Sequence, residues 1–278
     1  MWLLFPQDVY PASLESRTAN AWDRYIESAT VRMKQRLIPG KTFLWVDEAP
    51  ERLARVRARE IVVSPIAPHD PLRVPSGLIH DWIGAVFIPG TTLSDLLDTL
   101  RDYSSYRELY RPSVIDSKAI TKSESQDRFS LLLADKSYFL KIALATDYES
   151  HNVHVGERNG YGIARTTRIQ EIDNYGSPGQ RTLPEDQGIG IIWRLVSISR
   201  YTERDGGVYF ELEAIGLSRD IPTPLRWLVE PIIRRVSQES LSTCLRQTKN
   251  AVRVHTELAR DGGITAKSSS VSSLTPMD

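Results

Sequence analysis

The sequence contains a single cysteine, Cys244, in 278 residues. One cysteine excludes an intrachain disulfide and any metal site built from several thiolates. Because Cys244 falls at an apolar position of a predicted helix, we expect it to pack as a small hydrophobic side chain. Histidine is also sparse, with five residues, and only His151 and His154 lie close together, in a turn-like stretch with no acidic helix to supply further ligands. No metal site is predicted.

Net charge and long apolar runs are missing too. The 35 basic and 35 acidic residues cancel, so no global field attracts nucleic acid, and no nucleic-acid partner is expected. No stretch reaches the roughly 18 apolar residues that span a bilayer, so no transmembrane segment is predicted. The first residues, MWLLFP, are apolar but lack the basic region of a complete signal peptide. The chain reads as cytoplasmic, or as exported if the native N-terminus is longer, and its localisation stays open.

A glycine-rich phosphate loop is also absent. The nearest candidate, PGTT at 89–92, lies between a predicted strand and a predicted helix, but it has one glycine and no lysine. A simpler interpretation is that Pro89 and Gly90 turn the chain and that Thr92 caps the helix, with Asp95 at the third position. The stretch is therefore predicted to be a structural corner, and no cofactor is expected.

What is present is an ordinary globular composition, with 41% hydrophobic and 25% charged residues. Apolar residues at three- and four-residue spacing predict a helix over 14–37, and Pro50 opens a second, short helix over 50–59. Four prolines in 64–76 indicate an irregular crossing segment. The predicted divisions of the chain are an N-terminal helical extension (1–76), a main domain (77–260) and a serine-rich tail (261–278). The tail is predicted to be disordered.

From residue 77 the pattern becomes strand-rich. Alternating and apolar runs predict seven strands, at 78–88, 113–122, 127–135, 138–148, 160–172, 190–203 and 207–217. The sequence Asp205-Gly206-Gly207 marks the clearest hairpin turn. The polar stretch 173–190 is predicted to be a long loop. A final helix of roughly seven turns carries apolar residues along one face and is interrupted by Pro231.

The order of these elements resembles the START-like superfamily, which includes lipid-transport proteins and polyketide cyclases. The resemblance covers about residues 77–260. It is carried by GLIHDWIGAVFIPGTTLSDLLDTLRDYSSYRELYRPSVIDSKAI, by DGGVYFELEAIGLSRDIPTPL and by the terminal helix. It implies an α+β helix-grip fold, in which a curved antiparallel sheet wraps around the long C-terminal helix. It also implies that the protein binds or carries a hydrophobic small molecule, such as a lipid, an isoprenoid or a polyketide-like ring system, between sheet and helix.

Alternation within the strand at 207–217 predicts which side chains face that helix. Glu211 and Glu213 make their face the solvent-exposed one, because an ionised carboxylate is costly to bury without a partner. Phe210 and Leu212, on the opposite face, are therefore predicted to face the helix.

The strand at 190–203 alternates in the same way. Its arginines, Arg194 and Arg200, are assigned outward and are expected to pair across strands with the glutamates. Small polar residues on the inner face indicate either a cavity or room for bulky helix residues such as Ile232 and Val236, and both interpretations stay open. The side chains predicted to face inward are Trp193, Leu195, Ser197, Ser199 and Tyr201.

The resemblance implies a ligand site between the sheet and the terminal helix. Three tyrosines on the second short helix of the main domain could close its mouth with amphipathic rings, or they could simply pack against the sheet. The residues predicted to contact the ligand are Trp193, Leu195, Phe210, Leu212, Ile232 and Val236, with Tyr103, Tyr106 and Tyr110 at the mouth.

An enzyme is the alternative function, namely a cyclase or aromatase that acts on a polyketide-like substrate. Such chemistry needs a positioned general acid or base. His80 and Asp81 are adjacent on one strand, so only one of them can face inward, and Asp220 is expected to be a turn or cap residue. No catalytic triad or nucleophile elbow is present, and no catalytic residue is assigned.

A third possibility is a role in binding a protein partner, which the sequence does not identify. The N-terminal helix carries Trp22, Tyr25 and Met33 on one face. Because an isolated amphipathic helix must bury its apolar face, we expect this helix to dock on the main domain of its own chain.

Overall fold

A computed structural model describes the backbone of residues 12–134 and 143–271, and the side chains as far as Glu257. Twelve strands and five α-helices are assigned within these residues. The strands are β1 (Ala12–Ser13), β2 (Val62–Pro65), β3 (Leu72–Val74), β4 (Gly77–Pro89), β5 (Val114–Thr121), β6 (Asp127–Ala134), β7 (Ala143–His154), β8 (Asn159–Asp173), β9 (Arg181–Thr182), β10 (Gln187–Gly188), β11 (Arg194–Arg204) and β12 (Gly207–Arg219). The helices are α1 (Ser16–Gln35), α2 (Pro50–Arg57), α3 (Leu93–Leu100), α4 (Tyr106–Leu109) and α5 (Arg226–Val271).

One large antiparallel sheet organises the described part of the chain. Its strand order is β2-β4-β12-β11-β8-β7-β6-β5, and β3 and β9 pair with β4 and β8. All seven predicted strands are present, although residues 138–142 of the fourth lie outside the described residues. α5 packs against one face of the sheet, chiefly along β4. The α+β helix-grip fold predicted from the sequence is confirmed by this arrangement.

The turn between β11 and β12 sets the register of the central hairpin. Arg204 pairs with Gly207, so Asp205 and Gly206 form a two-residue turn, and both have positive φ, at 56° and 73°. Positive φ at both central residues matches the right-handed twist of the flanking strands. The predicted hairpin is confirmed, and it places the alternating side chains of the two strands opposite each other.

The corner after β4 is structural, as predicted. The backbone N–H of Asp95 donates to Thr92 Oγ1 at 3.2 Å, and the backbone N–H of Thr92 donates to Asp95 Oδ2 at 2.9 Å. This reciprocal pair satisfies two N–H groups at the start of α3. Leu93 and Leu96 are then buried in the cluster beneath α5.

α5 grips the sheet only from Leu241 onward. A Cβ placed on Gly84 of β4 would lie 2.6 Å from Leu245 Cδ1, so the missing side chain lets the helix approach closely. The buried side chains of the described part of α5 are Leu241, Leu245, Thr248, Ala251, Val252 and Thr256. Before Leu241 no side chain of the helix is buried, and Trp227 is 78% exposed. The prediction of one continuous buried face along this helix is therefore wrong, because its first turns contact the sheet through a polar pair, Glu230 with Arg73 on β3, and bury no apolar side chain.

The helix also continues past its predicted end at residue 260, with helical backbone to Val271. The predicted tail at 261–278 thus begins inside α5, and residues 272–278 lie outside the described residues.

The other face of the sheet is covered by the N-terminal segment. α1 packs on it through Trp22, Ala29 and Met33, and a second cluster joins residues 44–46 and Val56 to β4 and β12. Docking of the N-terminal helix on its own chain is therefore confirmed. The segment also supplies β2 and β3, which pair with β4. β3 lies within the predicted irregular crossing at 64–76, and β2 overlaps its start.

The stretch predicted as a long loop, 173–190, contains two short strands. β9 pairs with β8, and β10 pairs with β1. Its end is held by the buried carboxylate of Glu171, which accepts the backbone N–H groups of Ile189, Gly190 and Ile191 at 2.7 to 3.1 Å. Three such bonds to one carboxylate fix the entry into β11.

Candidate ligand-binding site

A single cross-strand row of side chains crosses the inner face of the sheet, the face toward α5. Strand pairing joins Phe129 to Tyr148, Tyr148 to Thr166, Leu195 to Gly216, and Gly216 to His80. Thr166 and Leu195 are linked by two hydrogen bonds, in which the Leu195 N–H donates to Thr166 Oγ1 at 3.0 Å and that hydroxyl donates to the Leu195 carbonyl at 3.2 Å. We call these residues (Phe129, Tyr148, Thr166, Leu195, Gly216 and His80) the inner row.

The two faces of the central strands differ sharply in burial. On β11 and β12 the outer side chains, such as Val196, Ile198 and Ile215, are almost fully buried. On the inner face of the same strands, Tyr201, Val208 and Phe210 are buried in the cluster under α5, whereas five side chains in the middle of the two strands are only half-buried. These half-buried residues are Leu195, Ser197, Ser199, Leu212 and Ala214. A sheet in a filled core buries both faces, so this face has room for a further apolar body.

The inner side chains of these strands are also small. Ser197 pairs with Ala164 on one side and Ala214 on the other, and Ser199 pairs with Gly162. α5 does not fill the space above them, because its contacts with the sheet are mainly with β4. The two serines therefore do not make room for Ile232, which is 44% exposed. α5 therefore leaves a half-buried strip of β8, β11 and β12 beside it, and we call this strip the groove.

An aromatic cluster closes one end of the inner row. The rings of Tyr103 and Phe129 stack at 4.1 Å between centroids, and those of Phe129 and Tyr148 stack at 4.8 Å. Tyr106 meets Phe129 edge-on, and the hydroxyls of Tyr110 and Thr248 on α5 lie 3.0 Å apart. Stacked and edge-on geometry adds to apolar burial in such clusters. Tyr103 and Tyr110 are thus packed in the fold, so the packing interpretation of the tyrosines holds for these two.

Tyr148 and Tyr106 are the half-buried members of this cluster, and Tyr148 is the one that lies in the inner row. Burial raises its pKa to about 12, so the phenol is neutral near pH 7 and presents an apolar ring to the groove.

His80 lies at the opposite end of the inner row and is 8% exposed. Its Nε2 is 2.8 Å from Ser218 Oγ, while Nδ1 is buried and has no hydrogen-bond partner among the described residues. Burial lowers the pKa of His80 to about 4, because the low-polarity surroundings disfavour the charged ring. The imidazole is therefore neutral at physiological pH.

Besides the three tyrosines, six residues were predicted to contact the ligand. Phe210 is buried in the cluster under α5, with Leu212 packed against it, and Leu195 lies in the inner row. These three face inward as predicted. Ile232 and Val236 lie on the part of α5 that precedes its first buried residue, and they are exposed and half-buried.

Trp193 does not face inward. It packs on the outer face with Trp22, Met33 and Ile79. Trp193 precedes Arg194, the first paired residue of β11, so the alternation of side chains in that strand does not apply to it. The predicted inward orientation of Trp193 is wrong. Whether the remaining predicted residues contact a ligand stays a prediction.

The outer face carries a buried ionic cluster that the sequence interpretation placed in solvent. Arg200 Nε donates to Glu211 Oε2 at 3.1 Å, and its Nη2 donates to Glu213 Oε2 at 3.2 Å. The three side chains are at most 6% exposed. The predicted pairing of Arg200 is confirmed. The prediction that this face is exposed to solvent is wrong, since α1 and residues 45–48 cover it.

Two further groups from the N-terminal segment complete this cluster. Glu211 accepts the backbone N–H groups of Trp45 and Val46. Asp81 accepts from the Tyr25 hydroxyl at 2.7 Å and from Arg32 at 3.0 Å. The apolar face of the N-terminal helix, from Trp22 to Met33, must pack against an apolar surface. This was the one feature of the sequence that indicated a covered outer face.

The described residues hold no group of three or more metal-ligating side chains. Within the same residues, no helix has the length and apolar character needed to cross a membrane.

Comparison with known proteins finds likeness in structure and none in sequence. No family model matches the chain, and no curated protein matches it. A fragment of a STAR-related lipid transfer protein from Xanthomonas axonopodis is 15% identical, with 69% of this chain and 98% of that chain covered and a TM-score of 0.44. Human STARD10 is 10% identical, with 81% of this chain and 86% of that chain covered and a TM-score of 0.45. The Zhui aromatase/cyclase from Streptomyces sp. R1128 is 11% identical, with 63% of this chain and 94% of that chain covered and a TM-score of 0.39. The chain is thus similar in structure to lipid transfer proteins and to an aromatase/cyclase, the groups that its element order resembles.

Proposed function

We propose that the protein binds a hydrophobic small molecule in the groove between the inner face of the sheet and α5. The observation that carries this proposal is the difference in burial between the two faces of β11 and β12. Apolar and small side chains on the inner face are half-buried at the centre of the sheet, where a filled core would bury them. A ligand that covers Leu195, Leu212 and Ala214 would remove that apolar surface from water, at about 25 cal/mol per Å².

The shape of the groove favours an elongated or ring-shaped apolar body. Four strand spacings separate Tyr148 from His80 along the inner row, which is about 19 Å at roughly 4.8 Å per strand. The floor is small and apolar in the middle, aromatic at one end and polar at the other. A lipid, an isoprenoid or a polyketide-like ring system fits this order of surfaces.

Binding is better supported than catalysis. Among the candidates from the sequence, His80 lies on the inner face, whereas Asp81 contacts Tyr25 and Arg32 on the outer face. A general base works best with a pKa near the operating pH, and burial lowers the pKa of His80 to about 4. His80 is thus a weak base at neutral pH, and its neutral ring is suited to hydrogen bonding.

The test is native mass spectrometry of the purified protein, followed by solvent extraction and a titration with Nile red. We expect either a defined apolar adduct or saturable Nile red binding. Ala214→Trp should lower the Nile red affinity about tenfold, because an indole would occupy the groove floor. Ala145→Trp is the matched control, since Ala145 is half-buried on β7 with the opposite orientation. A clean mass together with no Nile red uptake would overturn the proposal, as would equal losses in the two variants.

A further inference from the structure

The imidazole of His80 is a polar group built into an otherwise apolar and small-residue surface. The alternation of β4 turns Trp82, Val86 and Ile88 toward α5, and His80 shares their side of the strand. Its cross-strand neighbour is Gly216, which has no side chain to cover the ring. The next residue along the row is Leu195, and its Cδ2 lies 3.4 Å from the position that a Cβ on Gly216 would take. Ile192 Cδ1 lies 3.7 Å from the same position, so Leu195 and Ile192 cover the glycine, and His80 lies beside them at the end of the inner row.

The hydrogen bonds around His80 assign its tautomer. Ser218 Oγ lies 3.4 Å from the carbonyl oxygen of Arg219 and donates its single proton there. With the proton placed there, the Oγ accepts in the 2.8 Å contact with His80, which favours the tautomer that carries the ring proton on Nε2. Nδ1 is left with an unshared lone pair, buried and without a hydrogen-bond partner among the described residues. A buried acceptor left unsatisfied destabilises a protein unless something binds to it.

We propose that His80 Nδ1 accepts a hydrogen bond from the bound molecule, so that the ligand is an apolar body carrying a hydroxyl group. This inference rests on the proposed function and specifies its ligand class. A pure hydrocarbon leaves Nδ1 unsatisfied. A carboxylate offers no proton and turns its own lone pairs toward that of the ring. An alcohol or a phenol supplies the missing donor and lays its apolar part over Leu195 and the small residues beyond it.

Two probes that differ only in the donor test this inference. 2-Naphthol and 2-methoxynaphthalene share one ring system, and only the first has a hydroxyl proton. Both are titrated near pH 7 into the wild type, His80→Phe and His255→Phe, with displacement of Nile red as the readout. His255 is an exposed histidine on α5 and serves as the matched control. We expect the wild type and His255→Phe to prefer 2-naphthol by about fivefold to tenfold, and His80→Phe to bind the two probes equally.

Failure of the hydroxyl inference and failure of the proposed function give different results. Equal affinity of the wild type for the two probes overturns the hydroxyl inference and leaves the proposed function standing. Tighter binding of 2-naphthoate than of 2-naphthol overturns it as well. If Nile red does not bind, so that neither probe has anything to displace, the proposed function itself is overturned.

A second measurement does not depend on a variant that folds. In ¹⁵N-histidine-labelled wild type, we expect the His80 ring to stay neutral at about pH 5, because burial lowers its pKa to about 4. Its Nε2 should be protonated and its Nδ1 unprotonated. The Nδ1 resonance should shift when 2-naphthol is added and stay in place when 2-methoxynaphthalene is added. A protonated Nδ1, or equal shifts with both probes, would overturn the assignment.

Discussion

Replacing His80 and Asp81 by neutral amides is expected to change the pH dependence of stability in opposite directions. The two residues are neighbours on β4, yet they lie on opposite faces of the sheet. Burial lowers the pKa of His80 to about 4. Burial, followed by repulsion from Glu213, raises the pKa of Asp81 to about 7 against the opposing effects of Tyr25 and Arg32. The variants are His80→Gln, which can keep a hydrogen bond to Ser218, and Asp81→Asn, which keeps an acceptor for Tyr25.

The signs follow from proton binding in the folded and unfolded states. Between about pH 4 and 6.5 the unfolded chain holds a proton on His80 that the folded protein lacks, so this residue stabilises the fold more as the pH rises. Between about pH 4 and 7 the folded protein holds a proton on Asp81 that the unfolded chain lacks, so this contribution is lost as the pH rises. Each contribution has a slope of at most about 1.4 kcal/mol per pH unit.

The assay is urea unfolding at half-unit pH steps from about pH 4.5 to 7, with each variant compared with the wild type at the same pH. Taking differences cancels the contribution of Glu211, whose pKa is also raised, mainly by burial. Asp70, whose pKa burial also raises, interacts with Asp81, so part of its contribution stays in the Asp81→Asn difference. The stability of His80→Gln relative to the wild type should fall as the pH rises to 6.5. The relative stability of Asp81→Asn should increase up to about pH 7. Parallel curves for both variants would refute the reasoning, and so would slopes of the reversed sign.

Two further predictions concern the two faces of the sheet. Arg200→Met should lower the free energy of unfolding in urea by about 3–5 kcal/mol, because Glu211 and Glu213 stay buried without their shared cation. The control Arg165→Met, at an exposed position on β8, should stay within about 0.5 kcal/mol of the wild type. Equal effects of the two substitutions would contradict a buried ionic cluster. Gly84→Ala should cost about 1–3 kcal/mol, because the new Cβ would lie 2.6 Å from Leu245 Cδ1. The double variant with Leu245→Ala should cost less than the sum of the single variants, and strict additivity would show that the helix does not touch the sheet at Gly84.

Local features of this protein could be predicted from the sequence because neighbouring residues decide them. The turn at Asp205-Gly206 needs residues that tolerate positive φ, and the cap at Thr92 needs a hydroxyl three residues before a carboxylate. Strand alternation predicts that Phe210 and Leu212 share one face, since successive side chains of a strand point to opposite faces. These rules were enough for the inward orientation of Leu195, whereas the helix-grip fold was expected from the resemblance of the element order to the START-like superfamily.

Alternation could not say what covers each face, because the covering elements come from distant parts of the chain. Glu211 and Glu213 were predicted to face solvent, but α1 and residues 45–48 bury them and Arg200 and two backbone N–H groups satisfy them. Trp193 was predicted to face inward, but the alternation applies only inside a paired strand, and pairing begins at Arg194.

The candidate site depends on the same distinction. The sequence by itself determined that small and apolar residues share the inner face of β11 and β12, because that follows from a period of two. Only the tertiary structure decided that α5 lies along β4 and leaves that face half-buried, since the close approach at Gly84 sets where the helix can rest. The tertiary structure also decided the surroundings of His80, because its strand partner Gly216 and its hydrogen-bond partner Ser218 are more than 130 positions away in the chain.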